Sequence, residues 1–504
     1  MNLTASEAFT MGGMADSERA RSLERLSRER FDLLVVGAGI IGARVALEAA
    51  LAGDRVALVD AGDFGGATSS ASSKLVHGGL RYLRLYDFKL VRESHLERAA
   101  LLTRVAPHLV RPLLFVLPFY RGGPHPPAPL MGAGLGLYSA LGSFRHSHSR
   151  LIRARRAREY VPSLKTGGMG WSGLYEDAQT DDARLVLATV KAAAAAGAVV
   201  LNHARVSAIE RGAALVHAAG AADLEVRFRA AVNAAGPWVD ELRRLEDPSA
   251  APLARLSKGV HVTVPLPEGW RAALATPLPR LRVAFAVPWQ GVLLLGTTDT
   301  EYRSDPAAVG VDESDVQAVL GEAQVALPAE VAARDKVLYS FAGLRVLPGA
   351  EGDTAAARRE HVVATGRTGM VSVAGGKLTT HRLIALDVLR RLDPGRYRLH
   401  DDPLPGAGPL PSRPSGVEAE AWAHLVSVYG SEAATVATAG PLERIHPDGP
   451  DLWAQVDHAR DREWALTVED VVRRRTSLSV RGLDGEAVRI EVGRRLQPKG
   501  GAVC

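Results

Sequence analysis

The sequence contains almost no cysteine. Its single cysteine, Cys504, is the last of 504 residues, so no disulfide can form within the chain. Structural disulfides belong to oxidising compartments, and we therefore expect this protein to work in a reducing one, the cytoplasm. No group of His, Cys and Asp residues has metal-ligand spacing, so the sequence predicts no metal site and gives little support to nucleophilic catalysis.

Long apolar runs are also missing. No stretch approaches the ~20 consecutive apolar residues that a membrane-spanning helix needs. The N-terminus lacks the apolar segment of a secretory signal peptide, which agrees with a cytoplasmic location. Residues 1–30 are polar and include a charged helical stretch from Ser17 to Arg30. We expect these 30 residues to form a mobile N-terminal extension.

Basic residues exceed acidic ones, and the formal net charge is +5. Two arginine clusters stand out, at 153–158 and 473–475. Such clusters are most often solvated helix faces, and the second interpretation is attraction to an anionic lipid surface. No nucleic-acid-binding motif accompanies the charge, so we expect no nucleic-acid partner.

A dinucleotide-binding pattern follows the extension. Residues 33–36 are a short apolar run that predicts a buried parallel strand, and Gly37, Gly39 and Gly42 come directly after it. These glycines permit a tight turn, close approach of a pyrophosphate and close helix packing, in that order. Asp60 ends the next strand about 20 residues later, where a carboxylate accepts the ribose hydroxyls and disfavours a 2′-phosphate. The pattern predicts NAD or FAD.

A second motif narrows the choice. Residues 67–83 are rich in Ser, Thr and Gly and also contain Lys74, His77, Arg81 and Tyr82. Taken alone, this stretch is also compatible with a flexible surface loop. Its sequence resembles the signature of the FAD-dependent glycerol-3-phosphate dehydrogenase family. Further segments resemble the same family in the same order, at 181–188, 232–239, 258–262, 287–289, 296–299, 343–345 and 375–380.

The resemblance implies non-covalently bound FAD as the cofactor. The reaction it implies is oxidation of sn-glycerol 3-phosphate to dihydroxyacetone phosphate, with a hydride passing from C2 to FAD and the electrons then passing to a membrane quinone. The residues expected at the cofactor are Gly37, Gly39, Gly42, Asp60, Thr68, Ser69, Ser70, Lys74, His77, Gly78, Val206, Gly236, Gly376, Lys377, Leu378 and Thr379.

The substrate carries a phosphate, and a cationic site must hold it. Guanidinium groups suit phosphate because they donate two parallel hydrogen bonds. The resemblance assigns substrate contacts to Arg81, Tyr82, Arg345, Arg359 and Lys377.

The reaction also needs a group that accepts the proton of the C2 hydroxyl. Strand alternation places Val260 and Val262 on one face and His261 on the other, and an imidazole suits a base near neutrality. We expect His261 to be the catalytic base, with Arg345 as a second catalytic group. The alternative is that Arg345 alone lowers the pKa of the hydroxyl.

The chain departs from the family pattern in two places. Ile41 stands where many members carry Asn, and residues 346–349 differ from the usual Pro-Leu-Cys, which weakens the assignment of Arg359. Three other functions stay open. They are an oxidase that reduces oxygen, a tRNA-modifying flavoprotein, and a flavin-fold protein without catalysis.

The order of predicted elements indicates an α/β fold. We expect a Rossmann-like FAD-binding domain interleaved with a mainly antiparallel substrate domain over residues 31–402, with the substrate part mainly at 255–345. A Pro/Gly-rich linker at 403–416 and a C-terminal helical domain at 417–504 follow. A quinone acceptor without a membrane span implies peripheral attachment to the inner face of the cell membrane, and a homodimer is a further expectation.

Overall fold

The computed structural model describes residues 14–143, 148–349 and 361–497. Its strands in chain order are β1 (Arg30–Val36), β2 (Val56–Val59), β3 (Leu75–Val76), β4 (Val110–Tyr120), β5 (Ser149–Arg153), β6 (Met169–Thr180), β7 (Val199–Leu201), β8 (Ala204–Glu210), β9 (Ala213–Ala218), β10 (Leu224–Asn233), β11 (Ala254–Pro265), β12 (Ala273–Pro277), β13 (Val283–Trp289), β14 (Val292–Gly296), β15 (Thr300–Tyr302), β16 (Tyr339–Pro348), β17 (His361–Thr365) and β18 (Val371–Gly375).

The α-helices of the described residues lie before, between and after these strands. They are α1 (Met14–Arg28), α2 (Ile40–Leu51), α3 (Phe88–Ala100), α4 (Ala128–Leu141), α5 (Ala154–Ala157), α6 (Asp182–Ala195), α7 (Val239–Glu246), α8 (Glu313–Ala323), α9 (His381–Leu392), α10 (Ala419–Tyr429), α11 (Ala433–Ala437), α12 (Trp453–Arg462), α13 (Val468–Arg474) and α14 (Glu486–Leu496). Across the described residues, these helices lack the length and apolar character that crossing a bilayer requires.

The first sheet is the predicted dinucleotide-binding sheet. Its strand order is β17-β18-β10-β1-β2-β7, with parallel pairing from β18 to β7. Alternate residues of β1 face opposite layers. Leu33 and Val35 pack with α2, α6 and α9, whereas Leu34 and Val36 pack towards β8 and β9. Burial on both faces explains why β1 reads as a continuous apolar run.

Helix α1 differs from the expected mobile extension. Leu26 is fully buried in the layer that also holds Phe31, and the Arg19 Nη1 atom donates a hydrogen bond of 2.9 Å to the Asn202 carbonyl. One apolar stripe through Leu23 and Leu26 is enough to seat the helix, although most of its residues are polar. Over residues 14–30 the chain is therefore packed, and residues 1–13 lie outside the described residues.

The second sheet is almost entirely antiparallel. Its order is β15-β11-β14-β13-β12-β4-β6-β3, with β16 paired to β11 and β5 paired to β6. The strands of the two sheets alternate along the chain, so the predicted α/β fold with interleaved domains is confirmed. The second sheet extends beyond 255–345, because the long strand β4 pairs with β6 on one side and β12 on the other. The prolines at 112 and 118 hide this strand from sequence inspection.

The chain ends in the predicted helical region. Residues 403–416 contain neither helix nor strand, yet Leu404 is buried and its N–H donates to the Val105 carbonyl at 2.8 Å. Helices α10 to α14 enclose two apolar clusters of their own. The linker is thus packed along the body of the protein and leads into a separate helical layer.

Candidate functional site

The glycine loop between β1 and α2 forms a cradle that excludes side chains. Gly37 has φ of +99°, and a Cβ atom there would lie 2.5 Å from the Ala234 carbonyl oxygen. A Cβ on Gly42 would lie 1.9 Å from the Gly37 oxygen. Gly39 is the N-cap residue of α2, and no side chain caps the helix there. The Ile40 N–H donates to Ser69 Oγ at 3.0 Å. Backbone N–H groups at a helix N-terminus suit a pyrophosphate.

Asp60 is held where β2 ends, next to this cradle. Its Oδ2 accepts from the Ala38 N–H at 2.6 Å and its Oδ1 from the Gly62 N–H at 2.9 Å. Burial raises the pKa of the Asp60 carboxyl to about 6, against the lowering effect of the two backbone N–H groups. The Ala204 N–H donates to the Asp60 carbonyl and so joins the start of β8, the strand that holds the buried Val206, to the end of β2. This arrangement fits the adenosine end of a dinucleotide.

Gly236 lies on the opposite side of the cradle. It has φ of +56° and begins a 3-10 turn two residues after Ala234, whose N–H donates to the Val36 carbonyl at 2.8 Å. The structure thus brings the predicted Gly236 to the glycine loop, although about 200 residues separate the two in the chain.

The serine-rich loop is bonded to elements distant in sequence. Thr68 Oγ1 donates to the Leu344 carbonyl at 2.6 Å, and Ser72 Oγ donates to Asp182 Oδ2 at 2.6 Å. Lys74 is buried, and its Nζ donates to Asp182 Oδ1 at 2.6 Å and to the Ser70 carbonyl at 2.8 Å. The ammonium of Lys74, predicted at the cofactor, is thus neutralised by Asp182. In the sequence, Asp182 stands out only as part of the family segment at 181–188.

The turn at His77 and Gly78 contacts the family segment at 375–380, which begins with two glycines. The His77 N–H donates to Thr379 Oγ1 at 3.1 Å, and the Gly78 N–H donates to Asp177 Oδ1 at 2.9 Å. Gly376 has φ of +93°, and a Cβ there would lie 2.4 Å from the Ile384 Cδ1 atom. The structure therefore joins the predicted residues at 77–78 and 376–379 into one surface.

Two predicted substrate residues form a direct pair. The Lys377 Nζ atom lies 3.5 Å from the ring centroid of Tyr82, and the Tyr82 ring is buried. An ammonium over an aromatic face is attracted by the ring quadrupole. Tyr82 belongs to the same apolar cluster as Phe341. The side chain of Arg81 and the whole of Arg359 lie outside the described residues.

Arg345 is fixed by a motif in the neighbouring hairpin. Its Nη2 donates to Thr297 Oγ1 at 2.8 Å and to the Thr298 carbonyl at 2.9 Å, and its Nη1 lies 3.7 Å from Asp299 Oδ1. Gly259, opposite on β11, leaves the space for the guanidinium, since a Cβ there would lie 2.5 Å from Nη2. The segment at 296–299 is therefore a holder for Arg345, a role that spacing along the sequence does not reveal.

His261 lies on the predicted face of β11. Val260, Val262 and Val264 pack into the cluster on the other side of the sheet, which confirms the alternation. The His261 ring stacks on Phe341 with 5.1 Å between centroids, and its Nε2 lies 2.9 Å from Ser73 Oγ. Burial, then the charges of Arg345 and Lys74, lower the pKa of His261 to about 3. The imidazole is therefore neutral at physiological pH, and the site unites it with Arg345.

Comparison with known proteins agrees with this geometry. The chain matches the model of the FAD dependent oxidoreductases over residues 32–382. Residues 347–497 match the model of the C-terminal domain of alpha-glycerophosphate oxidase. The two matches together cover both sheets and the helical region.

Several similar proteins carry one name. Glycerol-3-phosphate dehydrogenase of Pseudomonas aeruginosa is 36% identical over 483 residues, which cover 90% of this chain and 92% of that protein. Glycerol-3-phosphate dehydrogenase 2 of Mycobacterium tuberculosis is 34% identical over 523 residues, covering 95% and 87%. The X-ray structure of glycerol-3-phosphate dehydrogenase from Bacillus halodurans complexed with FAD has a TM-score of 0.73 and 25% identity, covering 96% of this chain and 97% of that one.

Proposed function

Because the chain belongs to the family of FAD-dependent glycerol-3-phosphate dehydrogenases, we propose that it oxidises sn-glycerol 3-phosphate at C2 to dihydroxyacetone phosphate. FAD is the cofactor and supplies the hydride acceptor when bound. The residues that hold it are the glycine cradle at 37–42, Asp60, the loop at 68–78 and the turn at 376–379. The cradle leaves no room for a Cβ at Gly37 or Gly42, as the tight turn and the close helix packing of a dinucleotide-binding loop require.

The pairing of His261 with Arg345 carries the proposal. A dehydrogenase must remove a proton from the C2 oxygen as the hydride leaves C2, and His261 accepts this proton. A neutral imidazole with a pKa of about 3 is a weak base. The substrate phosphate adds negative charge to the site and raises this pKa, and the Arg345 guanidinium stabilises the developing alkoxide. Base and cation thus act on the same hydroxyl group.

The phosphate is assigned to the cationic groups around Tyr82. Lys377 lies over the Tyr82 ring, and Arg81 is the residue directly before it in the chain. Together with Arg359, these groups supply charged donors that suit a dianion. Glycerol lacks the phosphate and therefore gains none of these contacts.

An assay with a soluble electron-accepting dye tests the substrate assignment. We expect kcat/KM for glycerol 3-phosphate to exceed that for glycerol by more than about a hundredfold, because several charged hydrogen bonds worth about 1.5–3 kcal/mol each are lost with the phosphate. Glycerol 1-phosphate of the opposite configuration serves as the control for nonspecific anion binding. Equal rates with glycerol would contradict the proposed phosphate site.

The electron acceptor proposed is a quinone in the membrane, reached from a surface beside the substrate turn. Helix α4 carries no charged residue, and its Leu130 and Leu137 are 63% and 43% exposed, while Leu135 and Tyr138 face inward. The helix packs against the 3-10 turn Leu80–Leu85, the turn that carries Arg81 and Tyr82. A docked membrane would therefore lie close to the substrate turn.

Charge and aromatic residues adjoin this helix. Tyr86 and Phe88 follow the 3-10 turn and are 80% and 42% exposed. Strand β5, which packs on α4, leads into exposed arginines at 150, 153, 155, 156 and 158. We call α4 with these aromatic and arginine residues the α4 surface. Apolar and aromatic groups beside basic ones are typical of peripheral attachment to an anionic membrane, here the inner face of the cell membrane.

The second arginine cluster offers a single exposed arginine, Arg473, to this attachment. Arg474 and Arg475 are buried and pair with Asp63, so neither guanidinium reaches a lipid headgroup. The cluster at 153–158, with four exposed arginines, is therefore the one on which the proposed attachment rests.

A further inference from the structure

The loop that follows the ribose carboxylate is bonded to the far end of the chain. Asp63 is buried, and its carboxylate accepts from Arg475 Nη1 at 2.6 Å, from Arg475 Nη2 at 2.8 Å and from Arg474 Nε at 2.5 Å. Both arginines lie at the end of α13, and 411 and 412 positions separate them from Asp63 in the sequence. Their guanidinium groups are buried as well, so three charged groups meet out of contact with water.

A second set of contacts holds the neighbouring turn. Asn202 Nδ2 donates to the Trp464 carbonyl at 2.7 Å, and His203 Nε2 lies 3.0 Å from Asp470 Oδ2. The rings of Phe64 and Trp464 meet edge to face with 5.5 Å between centroids. The helical region therefore contacts both the loop after β2 and the turn before β8.

The Ala38 N–H holds Oδ2 of Asp60, and these two segments hold its Oδ1 and its backbone carbonyl. The Gly62 N–H donates to Asp60 Oδ1 at 2.9 Å, the His203 N–H donates to the Gly62 carbonyl at 2.8 Å, and the Ala204 N–H donates to the Asp60 carbonyl at 2.7 Å. A shift of the loop would move the Asp60 carboxylate with it. The position of the Asp60 carboxylate, which is expected to bind the ribose, thus depends on the contacts of Asp63.

The charge pattern fits a clamp better than an ion site. Ligand atoms of Asp63, His203 and Asp470 lie within 4.8 Å of one another, which is close enough to hold a metal ion. However, Arg474 and Arg475 already donate to the Asp63 oxygens, and Arg474 Nη2 also donates to Asp470 Oδ1 at 2.9 Å. Two fixed positive charges balance the carboxylates and repel a cation.

We propose that the C-terminal helical region acts as a clamp on the adenosine end of FAD, with Asp63 and Arg475 as positioning residues that act through Asp60. The proposal rests on the FAD site described above. It gives the helical region a role in retaining the cofactor, in addition to its packing. Loss of the clamp lets Asp60 move and weakens the hold on the ribose, while the substrate groups at His261 and Arg345 stay in place.

The test compares release of FAD from purified holoenzymes. The variants are Asp63→Asn, which removes the buried negative charge, and Arg475→Lys, a milder change that keeps the charge and removes the forked donor. Arg460→Met is the matched control, because Arg460 bonds to Asp461 and Asp457 within the helical region itself. The fluorescence of released FAD reports the dissociation rate. We expect at least a tenfold increase for Asp63→Asn, a smaller increase for Arg475→Lys and less than a twofold change for Arg460→Met.

A double-variant cycle separates positioning from simple loss of stability. If Asp63 acts through Asp60, the variant Asp60→Asn with Asp63→Asn releases FAD no faster than Asp60→Asn alone. The clamp is overturned if the increases in FAD dissociation rate of the two single variants multiply in the double variant. It is also overturned if Asp63→Asn and Arg475→Lys both retain FAD as tightly as the wild type. A wild-type protein that contains FAD and oxidises glycerol 3-phosphate in that case leaves the proposed function standing. A wild type that binds no FAD would overturn both.

Discussion

Arg345 shows how a functional side chain depends on neighbours distant in the sequence. Its assignment came from the family segment at 343–345, but its orientation comes from Thr297 and Thr298 in another hairpin and from the space left by Gly259. The position of Lys74 also depends on a distant residue, because its partner Asp182 lies 108 positions away in the sequence. Residue types in a motif were predictable from the sequence. Their partners depend on strand pairing, which the motif does not encode.

Removing the Arg345 guanidinium tests its role directly. We expect Arg345→Ala to raise KM for glycerol 3-phosphate and lower kcat, with kcat/KM reduced roughly ten- to hundredfold, because a charged contact worth about 1.5–3 kcal/mol is lost. The control is Arg303→Ala, a change at an arginine that is paired with Glu301 and 83% exposed. Steady-state kinetics with bound FAD measured for each variant checks this. A kcat/KM for Arg345→Ala within twofold of the wild type would refute the assignment.

Elements differ in how far local sequence predicts them. Strands β1 and β2, with the glycine loop between them, followed from a short apolar run and turn residues, because both signals are local. The antiparallel character of residues 255–345 was predicted as well, and β13 and β14 pair antiparallel within it. Strand β4 and the burial of α1 were missed. Both depend on partners elsewhere, namely β6 and β12 for the strand and the layer below the first sheet for the helix.

Helix α4 is the element on which the proposed membrane attachment depends. We expect wild-type protein to sediment with anionic vesicles at low salt and less so as salt rises, since each arginine near the surface contributes about 1 kcal/mol. The double variant Leu130→Glu and Leu137→Glu should abolish binding, because the anionic surface repels the two glutamates that replace the exposed leucines. Leu410→Glu is the control, since this leucine is 62% exposed in the linker.

The vesicle experiment also has a clear negative outcome. Wild-type protein that stays in the supernatant with anionic vesicles at low salt would contradict peripheral attachment. That result would favour the alternative function, an oxidase that passes its electrons to oxygen. Retained binding in the α4 variant, with loss in the Leu410→Glu variant, would place the attachment elsewhere on the molecule.

At the scale of the whole molecule, two interleaved sheets and a helical region meet around one site. The sequence predicted the interleaving, because family segments of both sheets alternate along the chain. It did not predict the contacts of the helical region with the loop at 60–64, since buried ion pairs such as Arg475 with Asp63 have no local signature. The homodimer stays a prediction, which analytical ultracentrifugation would test.

Buried histidines predict how the stability of the molecule depends on pH. Burial, the largest cause in each case, lowers the pKa of His95, His261 and His381 to about 3 and that of His108 to about 4. The unfolded chain therefore binds more protons than the folded one from about 3 to the ordinary value of 6.5. Stability falls as pH drops through this window, by up to about 1.4 kcal/mol per pH unit for each histidine.

Carboxyl groups whose pKa is raised by burial oppose this trend, namely those of Asp60, Glu97, Asp177, Asp181 and Glu241. The folded-state pKa of Asp60 is raised to about 6, so the folded chain holds an extra proton above the ordinary value of 3.8. All four histidines lose stability from pH 6.5 downwards, whereas Asp60 acts only below its pKa of about 6, and we expect the melting temperature to fall between pH of about 6.5 and about 4.5. The decline should be shallower in His95→Phe and unchanged in His217→Phe, an exposed control. Differential scanning fluorimetry across this range measures both, and an equal decline in all three proteins would contradict the account.

An anaerobic absorbance measurement tests whether glycerol 3-phosphate reduces the flavin of the holoenzyme. Purified holoenzyme mixed with glycerol 3-phosphate without oxygen should lose its flavin absorbance near 450 nm (about the position of free oxidised flavin). Glycerol at the same concentration should leave the absorbance unchanged. Addition of a quinone analogue should then restore the absorbance faster than oxygen does. Flavin that stays oxidised with glycerol 3-phosphate would contradict the account.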